Sequence, residues 1–315
     1  MTALLRVGVI GVGYLGRIHA KIYASMPDVE LVGVADIDRD AAEGVAKDHG
    51  CLAFTEPEAL LDKVEAVSIV VPTSEHGQVA MPYLEAGMHV LLEKPIAPSV
   101  AEAERIVEAA DRSGVKLLIG HLERFNAGIM ALAERVGEPR FIEVHRLGTF
   151  VERATDVDVV TDLMIHDIDI VLSLVDSELT YVSAVGAAVL TDHVDIANAR
   201  LEFANNTVAN VTASRVSSKK FRRIRVFSGH SYHALNFIDQ QIDVVRRTQP
   251  APGQTFPGLA TEQVDVTPRP PLDAELEHFV ATVRNAAEPL VDGHQGLKAL
   301  RVAEQVQQKI KACLK

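Results

Sequence analysis

The amino-acid sequence predicts an α/β protein with two domains. A doubly wound parallel sheet comes first, followed by an α+β domain with a large, mainly antiparallel, open sheet. Up to residue 120, short apolar runs alternate with helix-like stretches, which is typical of a parallel sheet with helices on both faces. Beyond it, long segments alternate apolar and polar residues, as in an antiparallel sheet with one exposed face. The length of 315 residues agrees with two domains, which we place at 1–120 and 121–315.

The elements of the first domain follow from signals in chain order. Its first strand, LLRVGVIGVG, is β-branched and ends in glycines, and a helix from about Leu15 to Met26 is stopped by Pro27. A second strand, ELVGVADI, precedes the helix RDAAEGVAKDHG, whose end is signalled by Gly50. Three strands and two helices follow, namely AVSIVVP, HGQVAMPYLEAG, HVLLEKP, SVAEAERIVEAADRSG and KLLIGH. The uninterrupted apolar runs SIVV and LLIG are typical of strands buried on both faces.

The second domain has a different pattern. A helical stretch, FNAGIMALAERV, is followed by the strand RFIEVHRLGTF and by an apolar helix around DLMIHDID. Long alternating strands come next: YVSAVGAAVL, IANARLEFANNTVANVTASRV and RRIRVFSG. A Pro/Gly loop at 248–258 separates them from two helices, DAELEHFVATVRNAAE and HQGLKALRVAEQVQQKIK. The exposed face of such a sheet predicts a homodimer or homotetramer.

Composition excludes several classes of protein. The net charge of −12 disfavours nucleic acid and membranes as partners and favours small-molecule chemistry. The longest uncharged apolar run, at 181–190, is far shorter than the roughly 20 residues that span a bilayer. Two cysteines far apart in the chain, with no visible secretory signal, predict a cytoplasmic protein. No metal-site spacing connects the histidines outside the motifs described below, so we expect no metal: His121, His193, His230 and His233.

A glycine-rich turn stands where a nucleotide-binding loop is expected. GVIGVGYLGRIH carries Gly11, Gly13 and Gly16 between a predicted strand and a predicted helix, with Tyr14 and Leu15 before the last glycine. Glycines there permit a tight turn and the close approach of the backbone to a pyrophosphate, which the helix N-terminus stabilises. The glycine pattern alone also occurs in methyltransferases and by chance.

Asp36 gives the glycine turn its context. It ends the second predicted strand, 20 residues beyond Gly16. A carboxylate at this place accepts hydrogen bonds from the adenosine ribose hydroxyls and repels a 2′-phosphate. The next residues, Ile37 and Asp38, include no base that could bind such a phosphate. We therefore expect a Rossmann domain that binds NAD rather than NADP; the alternative is that Asp36 only caps the next helix.

The segment DLMIHDID places polar groups on an apolar helix. At about 100° per residue, Asp162, His166, Asp169 and Ser173 fall within roughly 60° of one another. A solvated helix face is the ordinary explanation. Such faces, however, are broad and rich in Lys and Glu, and residues 162–175 contain neither. Both a buried functional site and a solvated face remain open on this segment alone.

A third motif lies at the end of a predicted parallel strand. HVLLEKPIAPS places Glu93 and Lys94 before Pro95, and ligands bind outside the carboxyl ends of such strands. A strand-end lysine alone is commonly a surface residue. Together with the glycine turn and DLMIHDID, in this order and at these separations, the motif resembles the glucose–fructose oxidoreductase/inositol dehydrogenase (Gfo/Idh/MocA) family. The resemblance covers nearly the whole chain.

The resemblance implies an NAD(P)-dependent oxidation or reduction at a sugar or cyclitol carbon. It implies that Lys94 lies between nicotinamide and substrate hydroxyl, that His166 is the acid/base, and that Asp162 helps to hold the substrate. A histidine can accept a proton at neutral pH, and an ammonium group stabilises a developing alkoxide. Many members have glycines just before this histidine, where the chain reads DLMIH. The other cofactor residues that the family implies are Pro72, Thr73, His76 and Glu93.

Two segments, IGHLERFNAG and DLMIHDIDIVLSLVDSE, resemble the branch of the family that acts on nucleotide sugars. This branch implies oxidation of a secondary hydroxyl, at C3, of a substrate such as UDP-N-acetylglucosamine. Arg124 and Asn126 then become substrate contacts, and an aminotransferase becomes the downstream partner. The alternatives are an inositol or free-sugar dehydrogenase and a non-enzymatic NAD-binding sensor. The basic segment 217–226 is a solvated strand or turn, a contact for a diphosphate, or part of an interface.

Overall fold

The computed structural model describes residues 3–150, 157–229, 231–250 and 256–313. The chain divides into two compact units. Unit 1 comprises the described residues of Met1–Leu122 and Pro270–Leu300, and unit 2 those of Glu123–Arg269 and Arg301–Lys315. The segment Pro270–Leu300 thus belongs to the first unit, whereas the division of the sequence at residue 120 leaves it in the second. The reason is packing: Leu276 and Phe279 are buried in the core of unit 1.

Unit 1 is built on a six-stranded, all-parallel sheet. The strand order is β3-β2-β1-β4-β5-β6, so the direction of winding reverses between β1 and β4. A nucleotide binds at this switch point in doubly wound folds. Its strands are β1 (Leu5–Ile10), β2 (Val29–Ala35), β3 (Leu52–Phe54), β4 (Ala66–Ile69), β5 (His89–Glu93) and β6 (Leu117–Gly120).

The helices of unit 1 begin and end at the residue types expected for caps. The side chains of Asp38 and Ser99 accept hydrogen bonds from backbone amides in the first turns of α2 (Arg39–His49) and α4 (Val100–Ser113). Gly50 and Gly114 end these two helices in the left-handed conformation. Two 3₁₀ turns, Pro57–Lys63 and Thr73–Glu75, supplement them. The helices are α1 (Tyr14–Ser25), α2 (Arg39–His49), α3 (His76–Glu85), α4 (Val100–Ser113) and α7 (Pro271–Val283).

Unit 2 is built on an eight-stranded sheet with the order β14-β13-β12-β11-β7-β10-β9-β8. All neighbouring strands are antiparallel except β7 and β10, which are parallel. The sheet is therefore mainly antiparallel, as predicted. Its strands are β7 (Phe141–Leu147), β8 (Leu179–Ala187), β9 (Ile196–Phe203), β10 (Val208–Ser214), β11 (Phe221–Phe227), β12 (Ser231–Asn236), β13 (Gln241–Arg247) and β14 (Leu259–Val264).

One face of this sheet is buried and the other is exposed. Ile142, Val144, Leu201 and Ile224 are fully buried on the face that α6 contacts. The helical elements of unit 2 are a 3₁₀ turn at Leu122–Phe125, α5 (Ala127–Ala133), a π-helical turn at Val160–Met164 and α6 (Ile165–Leu174). The last helix of the chain is α8 (Gly293–Cys313). No helix in the described ranges is long and apolar enough to cross a membrane.

Candidate active site

The glycine turn joins β1 to α1, and its three glycines meet different demands. Gly11 has a φ of 83°, and a Cβ added there would come 2.5 Å from the Val70 carbonyl oxygen. A Cβ on Gly16 would lie 1.8 Å from the Gly11 carbonyl oxygen, so this glycine permits close packing of helix against strand. A Cβ on Gly13 would meet no atom within 4 Å. The packing of the protein therefore does not require glycine at position 13. A ligand that approaches the backbone closely would require it.

The N-terminus of α1 is suited to an anion. Gly13 is the N-cap residue and supplies no side chain to the free amides, and the first turn carries no acidic residue. The helix dipole and these amides favour a negatively charged group at this place. Tyr14 is exposed and Leu15 is half-buried. The residues of this turn fit the pyrophosphate of a dinucleotide.

Asp36 follows β2 and is bound to the glycine turn. Its Oδ2 accepts a hydrogen bond from Val12 N at 2.7 Å, and its Oδ1 accepts one from Asp38 N at 2.9 Å. The cap of α2 is Asp38, whose Oδ1 accepts from Ala41 N at 3.1 Å. The alternative that Asp36 only caps the next helix is therefore wrong. Each carboxylate oxygen retains a lone pair that can accept a ribose hydroxyl.

The segment from Pro72 to His76 follows β4. Pro72 is exposed, whereas Thr73 is half-buried in a 3₁₀ turn. His76 is fully buried, with Nε2 3.1 Å from the Val71 carbonyl oxygen and Nδ1 3.0 Å from the Pro95 carbonyl oxygen. It thus connects the turn after β4 to the turn that carries Lys94, and burial lowers the pKa of its imidazole.

Lys94 follows the last residue of β5, Glu93, in a partly buried environment. Glu93 Oε2 accepts a hydrogen bond from Lys94 N at 3.3 Å. Burial raises the pKa of the Glu93 carboxyl to about 7, against the opposing charge of Lys94. His19 Nε2 lies 3.6 Å from Glu93 Oε1. Burial lowers the pKa of His19 to about 3, so its ring is neutral at physiological pH.

Sequence reasoning missed a buried acid beneath this strand end. Glu275 on α7 is 1% exposed, and neither of its carboxylate oxygens has a hydrogen-bond partner among the described residues. Burial and the charge of Glu93 raise the pKa of Glu275 well above its ordinary value. Nearby, the Tyr23 hydroxyl and Ser68 Oγ form a buried hydrogen bond of 2.8 Å. The available signal was the position of Glu275 in the predicted helix DAELEHFV: it lies four residues before Phe279 and so falls on the apolar side of that helix.

In unit 2, the polar stripe does not lie on one continuous α-helix. Asp162 belongs to a π-helical turn, closed by a hydrogen bond from Ile165 N to the Val160 carbonyl, so the spacing of 100° per residue does not apply to it. Asp162 and His166 are partly exposed, Asp169 is buried, and Ser173 is exposed. The four residues therefore differ in exposure and do not share one α-helical spacing, and their common face stays a prediction. Turns of the π-helical type are frequent at functional sites.

A buried ion-pair network holds the helix that carries His166. Asp167 binds Arg146 of β7 in two parallel hydrogen bonds, Nε to Oδ2 at 2.9 Å and Nη2 to Oδ1 at 2.7 Å. Arg146 also donates to Glu123 Oε1 at 2.7 Å, and its guanidinium lies 5.4 Å from the Phe237 ring centroid. Burial opposes the charge of Arg146, but Asp167 and Glu123 outweigh it and raise the pKa of the guanidinium.

The two predicted substrate contacts have partners inside unit 2. Arg124 Nη1 lies 3.5 Å from Asp169 Oδ1, and both side chains are nearly buried. Asn126 Oδ1 accepts hydrogen bonds from Gly128 N at 2.9 Å and Ile129 N at 3.4 Å, so this side chain caps α5. A role of Arg124 or Asn126 in substrate binding stays a prediction.

The histidines outside these motifs show no metal arrangement. Within the described ranges, no group of three His, Cys, Asp or Glu side chains could hold a metal ion. His230 lies outside the described residues, whereas His121 and His233 are buried in the protein.

Comparisons with protein families and known proteins agree with one another. A family model described as "Oxidoreductase family, NAD-binding Rossmann fold" matches residues 5–121, and a "GFO/IDH/MocA C-terminal domain" model matches residues 130–229. UDP-N-acetylglucosamine 3-dehydrogenase of Acidithiobacillus ferrooxidans is 40% identical over 98% of both chains. A crystal form of that enzyme superposes with a TM-score of 0.93 and 39% identity over 100% of both chains. An inositol 2-dehydrogenase of Rhizobium meliloti is 29% identical over 95% of both chains.

Proposed function

Because the chain belongs to the GFO/IDH/MocA family of NAD-binding oxidoreductases, we propose that it oxidises the 3-hydroxyl of UDP-N-acetylglucosamine, or of a closely related UDP-sugar. The product is the 3-keto sugar nucleotide, and NAD accepts the hydride. The observation that carries the proposal is the 40% identity to a UDP-N-acetylglucosamine 3-dehydrogenase across 98% of both chains.

The glycine turn and Asp36 are the proposed cofactor site. The uncapped amides of α1 bind the pyrophosphate, and the free space at Gly13 admits it. Asp36, oriented by Val12 N and Asp38 N, accepts the adenosine ribose hydroxyls and repels a 2′-phosphate. The same loop provides Tyr14, Leu15 and Gly16 around the cofactor, and Pro72, Thr73, His76 and Glu93 complete the proposed set.

In the proposed chemistry, the hydride of the substrate C–H bond and the proton of its O–H bond go to two different acceptors. Bound NAD would accept the hydride from C3, and His166 would take the hydroxyl proton, so that the electrons of the broken O–H bond become the second carbon–oxygen bond of the ketone. The Lys94 ammonium stabilises the alkoxide that develops at the oxygen. Asp162 holds a neighbouring hydroxyl or orients His166. Arg124 and Asn126 complete the proposed substrate residues.

An inositol or free-sugar dehydrogenase is the second candidate. It is favoured by the 29% identity to an inositol 2-dehydrogenase over 95% of both chains. The two candidates differ in the group attached to the reacting ring, since only a nucleotide sugar carries a diphosphate. A purely regulatory NAD sensor is not supported by a chain whose residues 5–121 and 130–229 match domain models of an oxidoreductase family.

A substrate panel tests the proposal. The protein is incubated with NAD and either UDP-sugars, free sugars or myo-inositol, with a ketone trap, because oxidation of an alcohol by NAD is unfavourable at neutral pH. We expect NADH with UDP-N-acetylglucosamine and a trapped UDP-ketosugar in the mass spectrum. In a second version of the assay, an aminotransferase with an amino donor takes the place of the trap. An enzyme of this class is the proposed downstream partner. Oxidation of myo-inositol, without NADH formation from any UDP-sugar, would contradict the substrate assignment.

We also propose that copies of the chain associate through the exposed face of the eight-stranded sheet. Aligned registers place Tyr181, Val185, Ile196 and Phe221 on this face, and each is at least 36% exposed. Exposed apolar patches of this kind mark association surfaces. Light scattering should give a dimer or tetramer mass, and Val185→Lys should lower it; a monomeric wild-type mass contradicts the proposal.

A further inference from the structure

The basic segment 217–226 divides between the two faces of the sheet. Arg223 and Arg225 lie on the exposed face, where Arg223 Nη2 donates to the Tyr232 hydroxyl at 3.2 Å and Arg225 pairs with Glu143. Arg222 points to the opposite face, because side chains alternate along β11. This is the face on which Ile224 is buried and which α6 contacts. Arg222 is therefore the arginine of β11 that lies on the sheet face contacted by the helix that carries His166.

In the described part of the chain, Arg222 has a single, long contact to a carboxylate, which it shares with Arg146. It lies opposite Arg146 in the sheet register. Its Nη1 lies 3.4 Å from Glu123 Oε1, and the same oxygen accepts a hydrogen bond from Arg146 at 2.7 Å. Two guanidinium groups thus share one carboxylate oxygen, and Arg146 holds it more closely. Burial and the charge of Arg146 lower the pKa of Arg222, and its side chain is 42% exposed.

The remaining donors of Arg222 are suited to a further anion. A guanidinium has five N–H donors in a planar fork that matches two phosphate oxygens, and Arg222 uses one of its nitrogens on Glu123. A phosphate bound at the exposed side of Arg222 would also reduce its repulsion with Arg146. The position is connected to the proposed acid/base, because Arg146 binds Asp167, the residue next to His166.

We propose that Arg222 binds the diphosphate of the nucleotide-sugar substrate and thereby selects nucleotide sugars over free sugars. The inference rests on the proposed function, in which C3 of the sugar reacts near His166. The diphosphate is attached at C1 of the same ring, so we expect its binding residue close to that helix, and Arg222 lies on the sheet face that this helix contacts. Glu123 and Arg146 act as positioning residues that hold the Arg222 guanidinium.

The test compares Arg222→Gln with Arg223→Gln in the full-length enzyme with NAD. Arg223 is the matched control, since it is an adjacent arginine on the other face of the same strand. We expect Arg222→Gln to raise KM for UDP-N-acetylglucosamine by about tenfold to a hundredfold, the usual range for a charge-assisted hydrogen-bonded contact. The kcat should change little, because the lost contact exists in both ground and transition states. Arg222→Lys should restore part of the affinity.

A binding measurement gives a readout independent of turnover. Calorimetric titration with UDP should show a weakened affinity in Arg222→Gln of the same size as the KM change, with Arg223→Gln like wild type. Equal UDP affinities in the two variants, or no UDP binding by wild type, overturn the inference. If UDP binds through Arg222 but UDP-N-acetylglucosamine is not oxidised, the proposed function fails and the anion site stands. Far-UV circular dichroism and Arg222→Lys separate lost binding from lost folding.

Discussion

Removing Arg146 should destabilise the part of unit 2 that carries His166. The Arg146 and Asp167 side chains are 4% and 0% exposed and form two short hydrogen bonds. In Arg146→Met, Asp167 is left as a buried charge, and breaking such a pair from one side costs about 3–5 kcal/mol. Arg225→Met is the matched control. Arg225 of β11 pairs with Glu143, which lies on the same strand β7 as Arg146, but the two side chains are 36% and 22% exposed, so this loss should be at most about 1 kcal/mol.

Amide hydrogen exchange measures both losses locally. Peptides covering β7 and α6 should lose protection by about 3–5 kcal/mol of opening free energy in Arg146→Met and by a small amount in Arg225→Met. The double variant Arg146→Met/Asp167→Leu should recover most of the protection, since no charge remains buried at that pair. Equal losses in Arg146→Met and Arg225→Met would refute the reasoning that burial gives the first pair its importance.

The effect of Arg146→Met should also depend on pH. Burial raises the pKa of Asp167, and Arg146 opposes that effect. Without the arginine, the folded-state pKa rises further, so the folded protein binds a proton more tightly than the unfolded one. The difference in free energy of unfolding between wild type and Arg146→Met should then shrink as the pH falls towards about 4, the ordinary pKa of Asp. A deficit that is constant from about pH 5 to about pH 8 would contradict a buried, ionised Asp167.

Three further predictions concern the cofactor and the chemistry. Asp36→Ala should weaken the binding of NAD and reduce the ratio of NAD affinity to NADP affinity, both measured by fluorescence titration. If the wild-type protein binds NADP more tightly than NAD, the role of Asp36 is contradicted. His166→Ala or Lys94→Ala should lower kcat about 100-fold or more with NAD affinity nearly intact, and unchanged turnover would remove the residue from the chemistry. Glu93 has a pKa raised to about 7, so its contribution to stability is present below its ordinary pKa and is lost as the pH rises through 7. Glu93→Gln should therefore gain stability relative to wild type between about pH 5 and about pH 8 in thermal unfolding, and parallel curves would contradict this.

The sequence predicted the features that depend on local patterns. The strand–glycine turn–helix of unit 1 follows from residues adjacent in the chain, and so do the ends of α2 at Asp38 and Gly50. The strand Leu52–Phe54 was missed because three residues carry too little periodicity. The place of α7 in unit 1 could not be predicted, since its partners are nearly the whole chain away.

The sequence suggested candidate site residues, whose roles stay predictions, but not the buried contacts that hold them. A spacing of 100° per residue cannot predict the π-helical turn at Val160–Met164, because the apolar pattern does not mark an extra residue in a turn. Asp167 was passed over because it lies off the predicted stripe, yet it is the acid that binds Arg146. Such long-range ion pairs are set by the meeting of β7 and α6, which the helix pattern alone does not encode.

Transfer of deuterium from the substrate tests the central claim most directly. UDP-N-acetylglucosamine labelled with deuterium at C3 is incubated with the protein, NAD and a ketone trap, and the reduced cofactor is analysed by mass spectrometry. The account predicts deuterium in the reduced cofactor and a trapped ketone at C3 of the sugar nucleotide. Reduced cofactor without deuterium, or labelling only from a C2-deuterated inositol, would contradict it.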